Sequence, residues 1–250
     1  MSNLKAELSR APVLCTLSER ALDRAAGAAL WRDLARGEPA YEADAAAEAL
    51  HVLARGSAKL LRRGEDGRRV TLDIVHAPAL LGVEAAFCAE GGGIEAEALE
   101  KSVVLAVPLT ALRAALTAER APCAALAEHL AACAARYAGR VANLSLGSAE
   151  ARVAAFLLAL AERIGERTPE GTAIPTRLTR RELADAVGVR SETAFRVTGR
   201  LAKAGLIAIR EGRFRVLNEA ALRTLMENPG ASGRRRGARN GHPEPFSPRL

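Results

Sequence analysis

The stretch "RRELADAVGVRSETAFRVTGRLAKAGLI", residues 180–207, constrains the fold more than any other part of the chain. Leu183, Ala184 and Val187 fall on one stripe at helical spacing, and Ala194, Val197 and Leu201 repeat that spacing a few residues later. Two short helices therefore share one small core. Gly188 between them can take a positive φ at little steric cost and Val189 re-enters the core directly, which is the spacing of a helix-turn-helix. The second helix leaves Ser191, Glu192, Phe195, Arg196 and Gly199 on its outer face, with Glu192 and Arg196 at i,i+4. A surface ion pair is the bland reading of those two and contributes only about 0.3–0.5 kcal/mol. Downstream, "GLIAIREGRFRVL" holds two β-prone runs around Glu211-Gly212 and predicts a hairpin wing. Two helices, a glycine turn, small Ala184 at the crossing and a wing, together over residues 176–217, predict a unit that binds double-stranded DNA.

Charge supports this by its placement. The net charge is +7, yet residues 176–216 alone hold ten Lys/Arg against four Asp/Glu, residues 228–250 carry +4, and residues 1–175 come to −2. A basic C-terminal end is the footprint of a polyanionic partner. With 3% aromatic residues the chain lacks the stacking platforms of a single-strand binder. No apolar run reaches the length of a membrane span, and the N-terminus lacks a basic segment followed by an apolar one, so no membrane partner and a cytoplasmic location are expected. Cys15, Cys88, Cys123 and Cys133 show no metal-ligand spacing and are expected to be reduced and mostly buried, with no metal site. No nucleophile-base set or phosphate loop appears, so the chain is not expected to be an enzyme.

Before the helix-turn-helix the text changes character twice. Residues 18–30 read as helix; His51 to Leu53, Ala58 to Leu61, Val70 to Val75 and "KSVVLAVP" at 101–108 read as strands, with a turn at Glu65-Asp66-Gly67. Residues 30–108 thus predict a small antiparallel roll. From about Ala121 to Leu146 an alanine-rich stretch reads as one long helix, on which Leu126, Leu130, Cys133, Tyr137, Val141 and Leu144 recur at spacings of three and four. That stripe suits either a dimerising coiled coil, the sharper reading, or packing against the roll. Ser148 is a plausible N-cap for a further helix that ends before a Gly/Pro loop at 165–175. The expected fold class is α+β: a β-roll effector domain over 1–118, a dimerisation helix over 119–147, a winged helix-turn-helix over 148–227 and a disordered basic tail over 228–250.

A β-roll, a long helix and a C-terminal winged helix-turn-helix in that order resemble the Crp/Fnr family of bacterial transcription regulators. The resemblance is most specific in "LTRRELADAVGVRSETAFRVTGRLAKAGLI", in "ALEKSVVLAVP", which looks like the last strand of the family's effector domain, and in "LARGEPAYEADAAAEALHVLARGSAKL", which looks like its first strands. It implies a homodimer on a palindromic operator, with RNA polymerase as a further partner and an unidentified small-molecule effector in the roll. The cyclic-nucleotide-binding members hold phosphate with a Gly-Glu pair and an Arg-Ser/Thr pair. Here Gly82-Val83-Glu84 partly keeps the first, Gly92-Gly93 stands at the second, and Tyr137-Ala138 replaces the Thr-Ser pair of the long helix. Backbone amides are a weaker phosphate clamp than a bidentate Arg, so the effector site implied at Gly82, Glu84, Gly92, Gly93 and Tyr137 is not expected to take cyclic AMP. A lone Cys15 does not reproduce the cysteine cluster of iron-sulfur members, and a lone His76 is a weak haem ligand, so no cofactor is expected.

For DNA, the resemblance agrees with the chemistry of the residues. Glu192 can accept from a cytosine amine, Arg196 can donate to guanine, and Phe195 can touch a thymine methyl or fold down onto the helix pair. Ser191 stands where well-known members of the family have Arg or Val, and Thr179, Arg180, Arg181, Arg190, Thr193, Arg210 and Arg213 lie at helix starts or on the wing, where they can hold phosphates. A different class of function, a signal-independent architectural DNA binder that uses its basic tail, would show little preference among DNA sequences.

Overall fold

Alternating apolar residues on two long strands organise the N-terminal half. In the computed structural model, which describes residues 2–41, 48–65, 67, 69–87 and 93–227, strands β3 (Ala49–Arg55) and β8 (Ser102–Pro108) pair antiparallel, and their alternate residues face opposite ways. Leu53 and Val104 enter one core; Leu50, Val52, Val103, Leu105 and Val107 enter another. β1 (Leu30–Leu34) and β6 (Ala79–Leu81) complete this sheet in the order β1-β8-β3-β6. A second antiparallel sheet, β2-β7-β4-β5, is built from β2 (Pro39–Tyr41), β4 (Ser57–Arg63), β5 (Arg69–His76) and β7 (Glu95–Ala98), and the short helix α3 (Val83–Phe87) follows β6. Leu34, Ala58, Leu60, Leu81, Ile94 and Ala96 fill the space between the two sheets. This is the predicted antiparallel roll.

The other face of the first sheet is covered by helices α1 (Ser2–Leu8), α2 (Glu19–Ala28) and α4 (Leu109–Ala118), with a 3-10 turn at Leu14–Thr16. The long helix α5 (Arg120–Leu146) then runs past the roll. Leu126 and Leu130 pack against the roll's helical core and Cys133 is buried, so this part of the predicted seam points inward, whereas Val141 stays 64% exposed. Ala124, Ala127, Ala131, Ala134, Ala138, Val141 and Ser145 form the outward stripe at spacings of three and four. Of the described cysteines, Cys133 alone is buried; Cys15 and Cys123 are exposed, the latter on the outward side of α5. Cys88 lies outside the described residues.

Ser148 caps α6 (Ala149–Ile164) by accepting from Ala151 N at 3.1 Å. The segment expected as a Gly/Pro loop instead forms a hairpin of β9 (Glu166–Thr168) and β10 (Gly171–Ala173), closed by Thr168 Oγ1 donating to Gly171 O at 2.7 Å. It joins the wing strands β11 (Ile207–Arg210) and β12 (Arg213–Val216) in a third sheet, β11-β12-β10-β9. Strands of three residues are too short to show a period in sequence; β12 supplies their partner. Helices α7 (Arg180–Val187), α8 (Ser191–Lys203) and α9 (Glu219–Glu227) complete the C-terminal core around Leu157, Leu183, Val197, Leu201 and Leu222. Ile74 and Leu99 of the roll enter that same core. No helix among the described residues is long and apolar enough to cross a membrane.

Candidate nucleic-acid interface and the contacts behind it

The helix-turn-helix is fixed at both ends of α7. Thr179 Oγ1 accepts from Glu182 N at 3.1 Å while Glu182 Oε2 accepts from Thr179 N at 2.7 Å, a reciprocal cap that satisfies two orphan amides. At the other end Gly188 adopts φ 64°, ψ 44°, its N–H bonded to Ala184 O, and a Cβ there would lie 2.6 Å from Leu144 Cδ2. The left-handed φ favours glycine there, and a larger residue would also have to push the Leu144 methyl aside. α8 starts after Arg190, whose side chain makes no capping hydrogen bond, and buries Ala194, Val197, Thr198 and Leu201.

What remains outside is the predicted set. Arg180, Arg181, Arg190, Ser191, Glu192, Phe195 and Arg196 are exposed and Thr193 is partly so. Glu192 and Arg196 make no ion pair with each other or with any other described residue, which removes the bland account of their spacing. Phe195 is 52% exposed, and the Arg180 guanidinium lies 4.1 Å from its ring centroid, so the ring neither folds into the helix pair nor stands alone. Thr179 spends its hydroxyl on the cap and on Glu182, at 2.8 Å. On the wing, Arg210 and Arg213 are exposed, directly paired across β11 and β12, and joined by Glu211 and Gly212 at φ 50° and 78°, a two-residue turn with both φ positive.

The comparisons with known proteins bear on both halves. The family model described as a Crp-like helix-turn-helix domain matches residues 151–225, and that of the cyclic nucleotide-binding domain matches residues 31–119. The chain belongs to the Crp/Fnr family of transcription regulators. It is 25% identical over 189 residues to the global nitrogen regulator of Synechococcus elongatus, covering 75% of this chain and 85% of that one. Among solved structures it is similar to FixK2 from Bradyrhizobium japonicum (TM-score 0.70, 21% identity, 79% of this chain and 96% of that one). A CRP-family regulator of Thermus thermophilus gives a TM-score of 0.63 at 27% identity, over 78% and 96% of the two chains. Regulators of the Crp family bind DNA and act as dimers.

The glycines expected in the effector site of the roll are closely packed. Gly82 has φ 65°, and a Cβ on it would meet the Tyr41 ring at 2.6 Å; Tyr41 stacks on His51 with ring centroids 5.0 Å apart. Burial pushes the His51 imidazole down to about 4, with positively charged Arg32 acting in the same sense. A methyl on Gly93 would lie 3.4 Å from Arg62 Nη2, so β4 brings a guanidinium to the backbone where the sequence has no arginine. Gly92 and the side chain of Glu84 lie outside the described residues. Tyr137 is partly exposed on α5.

Three contacts that the sequence did not announce join the roll to the DNA-binding half. Asp73 on β5 receives Arg163 from α6 and Arg136 from α5. Arg36, from the β1–β2 loop, donates to both oxygens of Glu182 on α7 at 2.6 and 2.7 Å and to Leu99 O. The fully buried Ser57 Oγ meets Thr176 Oγ1 at 2.9 Å, His76 Nδ1 at 2.8 Å and Glu100 Oε1 at 2.6 Å. His76 thus sits in a polar knot between the halves. Among the described residues no group of three or more His, Cys, Asp and Glu could hold a metal ion.

Proposed function

We propose that the protein is a homodimeric regulator that binds an inverted-repeat operator through α8, with Glu192 and Arg196 reading base edges. The observation that carries this is the exposure of both side chains, unpaired, on the outer face of a helix whose other face is fully used in packing. Charged groups aimed at solvent and free of local partners are what major-groove readout requires. Arg180, Arg181, Arg190, Ser191, Thr193, Arg210 and Arg213 surround them and fit phosphate contacts, with Thr179 acting through its amide cap and Phe195 with Arg180 forming a platform at the groove wall.

The dimer forms along the outward stripe of α5 from Ala124 to Ser145, whose small side chains allow two helices to approach closely. The chain divides into a sensing roll over 1–118, the dimerisation helix over 119–147, the DNA-binding unit over 148–227 and a basic tail over 228–250, which lies outside the described residues. A small molecule other than a cyclic nucleotide signals through the roll, because Tyr41 packs against Gly82 where nucleotide-binding relatives seat the phosphate. RNA polymerase is the downstream partner, and the cytoplasm is the place of action. Selection of bound sites from random DNA tests the reading: an inverted repeat with half-sites about 34–36 Å apart supports it, and an unselected pool contradicts it.

A further inference from the structure

The long helix carries Arg136 and Arg140 one turn apart, and α6 carries Arg152 and Arg163. All four line one cavity of about 300 Å³ enclosed by α5, α6, the end of α7 and β5, away from Gly82 and Gly93 of the roll. Its two acidic neighbours are already engaged: Asp73 takes Arg136 and Arg163, and Glu162 pairs with Arg223 on α9. Arg152 donates through Nη1 to Gly188 O at 2.9 Å, at the turn of the helix-turn-helix, but its Nε is buried without a hydrogen-bond partner. Arg140 is left over. Its Nε and Nη2 are buried, and its guanidinium makes no hydrogen bond or ion pair with any described residue. Burial lowers its pKa from the ordinary arginine value, with Asp73 acting in the opposite sense from a distance.

A buried, unpartnered guanidinium is costly, and natural proteins match it with an anion. The long helix of a second copy, paired along α5, does not bring one. Glu128 is the sole acidic residue between 120 and 146, and in a parallel pair of α5 helices it lies about 18 Å along the axis from Arg140. We infer that this cavity is a binding site for a small oxyanion, a phosphoryl or carboxylate group held by Arg140 and Arg152, with Phe156, Leu160 and Val187 forming an apolar wall for the rest of the molecule. The planar fork of Arg suits both groups. A ligand seated there touches β5 of the roll, the long helix and the helix-turn-helix at once.

The test is calorimetry and thermal melting of the full chain with inorganic phosphate and, separately, with succinate, at constant ionic strength. Saturable binding of either one, weakened tenfold or more in Arg140→Gln, and a rise in melting temperature that this variant lacks, is the expected result; the arm that responds distinguishes phosphoryl from carboxylate. Without anion, Arg140→Met should melt at or above the parent, because it removes an unmatched buried charge. The site is refuted by an absence of saturable binding of both probes, by binding that Arg140→Gln leaves unchanged, or by an Arg140→Met variant that melts well below the parent, which would show that the assembly already gives Arg140 a partner.

Discussion

Asp73 on the roll and Arg163 on α6 meet through two parallel hydrogen bonds, Nη1 to Oδ2 at 2.8 Å and Nη2 to Oδ1 at 2.7 Å. The same carboxylate accepts Arg136 Nε at 3.1 Å, so a single side chain of β5 holds both the long helix and the DNA-binding half. Bidentate geometry around a carboxylate only 10% exposed makes this pairing directional as well as attractive. It fixes how the roll sits against the helix-turn-helix.

Replacing Asp73 with Ala should therefore leave two guanidinium groups unmatched at the junction. Allowing for arginine side chains that remain 29–30% exposed, the loss should be about 2–3 kcal/mol, or about 4–12 °C in melting temperature for a chain of this size. Calorimetry reads it. A variant that melts with the parent would show that the pairing does not hold the two halves.

The two stripes of α5 should respond differently to charge. Ala131→Glu lies on the outward stripe and should shift the protein from dimer to monomer while its fold survives. Leu130→Asp buries a carboxylate against the roll and should cost about 2–3 kcal/mol of stability. Light scattering with circular dichroism separates the cases. A parent that is monomeric at micromolar concentration, or an unchanged dimer in Ala131→Glu, would contradict the assignment of faces.

His51 makes stability depend on pH in a defined direction. The unfolded chain takes up a proton near the ordinary histidine value of 6.5, whereas the folded chain, with His51 partly buried beside Tyr41, resists it until about pH 4. This contribution is complete above pH 6.5 and is lost as pH falls through that window, with a limiting slope of about 1.4 kcal/mol per pH unit. Urea denaturation at several pH values should show the slope in the parent and a flatter profile in His51→Gln. Equal slopes would contradict a His51 imidazole held neutral in the fold.

The parts of this fold that sequence made legible are those with local periods. Leu183 to Val187 and Ala194 to Leu201 repeat at helical spacing around Gly188, and Glu211-Gly212 marks the wing turn, so the DNA-binding unit could be read directly. The direction in which α5 faces could not. Leu126 and Leu130 on one side and Ala127, Ala131 and Ala134 on another share nearly the same period, and the roll, which needs larger side chains to fill its surface, claims the leucines. Asp73 and Arg163 are 90 residues apart and Arg36 and Glu182 are 146 apart, so no window of sequence contains either pair. The approach of Arg62 to Gly93 likewise depends on β4 and the end of the α3–β7 connection lying side by side.

On the proposed function, α8 presents Glu192 and Arg196 to base edges rather than to each other. Binding of the parent and of Arg196→Ala to the selected operator, and to operators changed at one guanine per half-site, tests it most directly. If Arg196 reads that guanine, the alanine variant loses about 1–3 kcal/mol, roughly 5- to 150-fold, on the parent operator and no longer distinguishes the changed ones. Equal affinity of parent and variant on every operator, with the guanine preference intact, would contradict it.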